Sequence, residues 1–115
     1  MVLSEYIVEK RDNMRGGDGQ VTIENWADGA TLPPHVRFSA TMIFPPGVSI
    51  GEHVHEGEAE IFHVVSGVGE YNDNGNIVPI KKGNVMVNYD GQKHCIRNTG
   101  SEDLVITALI VTNEA

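Results

Sequence analysis

Apolar and polar side chains alternate through much of this chain. Over residues 35–44 (HVRFSATMIF), Phe38, Ala40, Met42 and Phe44 alternate with Arg37, Ser39 and Thr41. A period of two puts each set on its own face, the pattern of a β-strand with one side in a core. An earlier strand is predicted over residues 21–26 (VTIENW), and the turn-rich loop WADGATLPP separates the two. Pro45-Pro46-Gly47 ends the second strand, because proline lacks the N–H that a ladder needs. VSIGEHVH and EIFHVVSG follow, then a hairpin whose Asp73-Asn74-Gly75 is a tight-turn signal. IVPI, NVMVNY, HCIRN and DLVITALIVT complete the series. Pro79 makes its strand an edge strand or a bulged one. Residues 104–111 are almost continuously apolar, which predicts a strand covered on both faces.

No segment keeps a helical period for two turns. Eight or more short strands with turns between them define an all-β sandwich or barrel. We read one barrel domain over residues 21–115, preceded by a flexible lead-in over residues 1–20 that contains Arg15-Gly16-Gly17-Asp18-Gly19. A length of 115 residues fits a single domain, since domains commonly run to about 100–150 residues.

Charge narrows the partners. Eight basic against sixteen acidic residues leave a net charge of -8, which argues against nucleic acid or an anionic membrane as partner. Lys81-Lys82 is only a pair. One cysteine, Cys95, permits no disulfide framework within the chain and fits a reducing cytoplasm. The first residues, MVLSEYIVEKRDNM, carry charges every few positions and no apolar run of signal-peptide length.

The chemistry concentrates in four side chains. His53 and His55 lie two apart on a predicted strand, so they share a face with α-carbons ~6.6 Å apart. Two imidazoles at that spacing can converge on one ion. Glu60 is five residues further on, an odd number that would turn it away on a straight strand. Gly57 permits the bend that sets Glu60 on the next strand instead. His94 arrives from a later strand after the glycine turn at Gly91. Three imidazoles and one carboxylate are seldom assembled for stability alone, and they suit most divalent first-row metals.

The spacing is also specific. Gly47, five residues, His53, one residue, His55, four residues, Glu60, six residues and Gly67 together resemble the first signature of the cupin family. Gly83, Gly91, His94 and Asn98 resemble the second, with Tyr89 standing where that signature has proline. The resemblance implies a cupin-type double-stranded β-helix (jelly-roll) barrel with a metal at its mouth, held by His53, His55, Glu60 and His94. It implies one divalent transition metal ion, with Mn, Fe, Ni, Co, Cu and Zn not distinguishable. Four protein donors on an ion that prefers six leave two positions for water or substrate. Small cupins usually dimerise through sheet faces or swapped N-terminal strands, so a homodimer is expected, and the apolar last strand points the same way.

Parity sorts the neighbours. Phe62 and Ile96 share the faces of Glu60 and His94 and are expected to wall a substrate pocket. Asn98 shares that face, with a structural role implied by the cupin motif. His63 should point away, Cys95 is read as a buried structural thiol, and Glu58 as a solvated hairpin carboxylate, with an alternative ligand or an outer partner of the site as its other reading. Tyr71 and Tyr89 are read as packing aromatics. The functional expectation is a metalloenzyme acting on a small polar molecule, of dioxygenase, isomerase, lyase or decarboxylase type. The alternative is a non-catalytic module that binds metal, carbohydrate or another small ligand.

Overall fold

A computed structural model describes residues 1–113, so the expected end of the barrel at residue 115 lies outside the described residues. The strands are β1 (Ile7–Asp12), β2 (Gln20–Asn25), β3 (Val36–Phe44), β4 (Ser49–Val54), β5 (Glu58–Ser66), β6 (Val68–Asp73), β7 (Asn76–Lys81), β8 (Val85–Asn88), β9 (Lys93–Asn98) and β10 (Leu104–Thr112). They form two antiparallel sheets, one in the order β1-β2-β3-β10-β5-β8 and one in the order β4-β9-β6-β7. From β3 to β6 the chain passes from one sheet to the other at each step, so the sheets wrap a shared core as a jelly-roll barrel. Among the described residues no helix is long and apolar enough to cross a membrane.

Alternation explains the core. On β5, Glu60, Phe62 and Val64 are buried while Ile61, His63 and Val65 are exposed. On β10, Leu104, Ile106, Ala108 and Ile110 point inward and meet Phe44, Met42, Ala40 and Phe38 of β3 across the ladder. The outer face of β10 is barer than its composition predicts. Val105, Thr107 and Leu109 are only half-buried and Val111 is exposed, so within one chain a single face of this strand is covered. Pro79 lies on β7, the edge strand of the smaller sheet, where its missing N–H costs no ladder bond.

The segment before residue 21, read as a flexible lead-in, contributes a strand of its own. β1 pairs with β2 in the register Ile7↔Asn25 through Asp12↔Gln20. Its side chains are nearly all exposed, so no alternation announces it; backbone pairing holds it in place. Asn13 and Gly19 close the hairpin with an N–H···O bond of 2.8 Å. Within it, a 3₁₀ turn over Met14–Gly16 lies against β4.

Candidate metal centre

The site is built where β4, β5 and β9 meet. Ile50 pairs with Ile96 across β4 and β9, and His53 pairs with His94, so two residues on β4 lie opposite one, Cys95, on β9. That extra residue is a β-bulge at Gly51 and Glu52. A regular strand after inward-facing Ile50 would aim Glu52 at the barrel interior and His53 at solvent. The bulge reverses this: Glu52 is exposed and His53 faces in. Glycine is required here, because a Cβ on Gly51 would overlap the carbonyl oxygen of Arg15.

His55 ends β4. Gly57, at φ 73°, then turns the chain so that Glu60 enters the interior from β5. The β4–β5 and β8–β9 turns are tied together, since Gly91 N–H donates to His55 O (2.8 Å) and Gly57 N–H to Asp90 Oδ1 (2.9 Å). Tyr89, in the place of a motif proline, still accommodates the turn, with Gln92 N–H donating to its carbonyl.

All four candidate residues come together. One donor atom from each of His53, His55, Glu60 and His94 lies within 4.8 Å of every other. Donors on one ion stand at most ~4.4 Å apart at bonds of ~2.0–2.2 Å, so the set needs only a slight contraction. His55 Nε2 is 2.8 Å from Glu60 Oε1, and His94 Nε2 is 3.5 Å from the same oxygen. His53 Nε2 and His94 Nε2 are 2.7 Å apart. A hydrogen on one ring or a shared cation must fill that gap. The third imidazole and the carboxylate beside it favour the cation.

The outward ring nitrogens are also engaged. His53 Nδ1 lies 2.8 Å from Gly51 O, so it carries the hydrogen and leaves Nε2 free as a donor to metal. His55 Nδ1 donates to Glu58 Oε1 at 2.7 Å, and Arg37 grips the same carboxylate with Nε and Nη2 at 2.6 and 2.7 Å. Glu58 is therefore not a solvated hairpin carboxylate, as its sequence setting suggested; its side chain is 13% exposed and it orients a ligand ring. His94 Nδ1 has the hydroxyl of Tyr71 at 3.5 Å. Such outer partners fix the tautomer and raise the basicity of a metal-binding imidazole.

Without metal, the protonation of these groups is uneven. Burial pushes His94 down to about 3, reinforced by the positive charges of His53, His55 and Arg15. Burial also lowers His53. His55 is raised, chiefly by its hydrogen bond to Glu60, and Glu60 is raised by its burial. The two thus share a proton that a metal would displace. Burial raises the Cys95 thiol, and this residue is half-buried.

A cavity of about 550 Å³, counted to its open mouth, contains all four donors. Phe62 and Ile96 line it, joined by Phe38, Met42 and Ile110. Arg11, Arg15 and Arg37 line it too, and none of the three was singled out from the sequence. The sequence did offer Glu58 as a partner of the site, for it lies two residues from Glu60 and so shares its face of β5, and that alternative is the one its contacts match. His63 and Tyr89 are exposed and stand away from the donors. Asn98 is structural: Nδ2 donates to Phe44 O and Glu102 O, both at 2.7 Å, and Oδ1 accepts from Gly100 N–H.

Fold and donor set are those of a cupin, and the chain belongs to that family: its cupin domain spans residues 40–111. An oxalate-binding protein of Thermotoga maritima is 43% identical over 108 residues, covering 94% of this chain and 89% of that one. The crystal structure of a predicted oxalate decarboxylase from Thermotoga maritima superimposes with a TM-score of 0.92 at 41% identity, covering 97% of this chain and 99% of that one. The cupin domain of Schizosaccharomyces pombe Cnp3, at 17% identity and a TM-score of 0.72, covers 80% of this chain and 61% of the other and shares the fold alone.

Proposed function

We propose that this cupin holds one divalent transition metal on His53, His55, Glu60 and His94 and uses it to bind a small dicarboxylate of the oxalate class. The observation that carries the reading is the convergence of three imidazole nitrogens and one carboxylate oxygen in a cavity that is otherwise cationic and apolar. When bound, the metal supplies a Lewis acid that attracts carboxylate oxygens. Glu60 reduces the net charge of a divalent centre to about +1, still favourable for an anion. Phe62 and Ile96 exclude water from one wall, which strengthens each charge interaction inside. The relative described as oxalate-binding supports the ligand class.

Turnover of the same ligand is the second reading, favoured by the relative described as a predicted oxalate decarboxylase. Turnover adds a proton donor, from a side chain or from water, to what binding alone requires. Among the described residues lining the cavity, the protic groups beyond the four donors are three arginines and Cys95, and burial makes that thiol hold its proton. Binding is therefore the reading the geometry supports best.

Elemental analysis of protein purified without chelator, followed by calorimetric titration with oxalate, tests the proposal. One metal per chain and oxalate binding that EDTA abolishes are expected. Oxalate affinity indifferent to EDTA would refute it, and release of formate or carbon dioxide would establish turnover. The half-bare outer face of the larger sheet, with Ile61 of β5 opposite Leu109 of β10 and exposed Val65 further along β5, is proposed as the surface that pairs two copies. Light scattering during size exclusion should show a dimer; a monomer at micromolar concentration contradicts it.

A further inference from the structure

We propose that Arg15 sets the ligand specificity of this site: its guanidinium receives the carboxylate oxygens that face away from the metal, so that dianionic dicarboxylates are selected over monoanions. The inference deepens the proposed function and rests on it for the ligand class.

Three arginines line the cavity, and their partners differ. Arg11 is 3.2 Å from Glu9, and Arg37 is held in a two-bond pair by Glu58. Arg15 has no carboxylate within ion-pair distance among the described residues. The chain has sixteen acidic residues, yet among the described residues the cavity lining includes a single one, Glu60, which belongs to the donor set. An unpaired guanidinium lining such a cavity is free to receive an anion, and its planar fork matches a carboxylate.

The backbone places this arginine deliberately. Arg15 adopts φ 55° and ψ 28°, a left-handed conformation unusual for a residue with a side chain. Such outliers persist where surrounding structure imposes them, commonly at ligand sites. Here the constraint is visible. The turn Met14–Gly16 packs on the β4 bulge so closely that the Arg15 carbonyl occupies the space a Gly51 side chain would need. Gly51 O in turn fixes His53. The backbone that carries Arg15 and the donor set are thus tied together through one glycine. The charge of Arg15 is also felt at the rings of His53 and His94.

Charge matching completes the argument. A divalent ion with one carboxylate ligand and three neutral imidazoles carries about +1, and Arg15 adds another positive charge, which together balance a dianion. A monoanion leaves one charge unmet.

The test uses the full chain loaded with Mn(II), titrated with oxalate and with glycolate, a chelating monoanion of similar size. Two variants are compared, Arg15→Gln and Arg15→Gly, the second because glycine accepts the positive φ without strain. Both should keep wild-type metal content and lose about 10- to 100-fold in oxalate affinity, with glycolate affinity within about threefold. Unchanged oxalate affinity in both variants, or equal losses for the two anions, overturns the role of Arg15 alone. Wild-type protein that holds Mn(II) but binds no oxalate overturns the proposed ligand class as well.

Discussion

Removing the Glu58 carboxylate separates the metal site from the fold. In Glu58→Ala, His55 Nδ1 loses a 2.7 Å hydrogen bond to an ionised acceptor. Bonds to charged groups contribute about 1.5–3 kcal/mol, equivalent to roughly a 10- to 150-fold change in an equilibrium constant. Loss of an outer partner of a ligating histidine lowers metal affinity by about 10- to 100-fold in other sites, which agrees. The other bond partner, Arg37, has a side chain 49% exposed, so water can replace the carboxylate there. That half of the network should cost the fold no more than about 1 kcal/mol. Competition with a chelator of known affinity reads the metal term, and denaturant unfolding in EDTA reads the stability term. Arg37→Ala is the control, because Glu58 can still accept from His55; its metal affinity should fall less than about fivefold, below the loss on removing the acceptor. Equal metal affinity in Glu58→Ala and wild type would show that the carboxylate does not orient the ring.

Further outcomes follow from the same geometry. Metal affinity should fall as pH drops from neutrality towards 5, with a slope below three protons per ion, because His55 is raised while His94, lowered to about 3, stays neutral. A slope near three, measured by chelator competition across that range, would contradict this protonation pattern. Gly51→Ala forces a Cβ onto the Arg15 carbonyl and should cost at least about 1–3 kcal/mol, seen as a drop in Tm together with weaker metal binding. Metal held at about 100 times Kd should stabilise the fold by roughly 2.7 kcal/mol, and EDTA should reverse the gain in Tm. His55→Ala removes a donor and should empty the site; full occupancy by elemental analysis would show that the ligand set is wrong.

Chain order alone was enough to place nearly every strand of the barrel and to single out the four donors. Period-two alternation survives in any strand with one buried face, so Phe62 and Val64, or Ile106 and Ala108, reveal their side of the sheet without a structure. The donors were legible because glycines mark the bends between them and the spacing repeats that of a known family. Other features depend on partners distant along the chain. β1 bears few buried side chains, so its pairing with β2 left no pattern to read. The bulge at Gly51 exists because the Arg15 turn packs against it, thirty-six residues earlier in the chain. The Glu58 carboxylate that orients His55 is also paired with Arg37, twenty-one residues away. Local alternation reports which face a residue occupies while a strand stays regular. Where a bulge shifts that face, or where a charge finds its counterpart, the answer lies in the packing of the closed barrel.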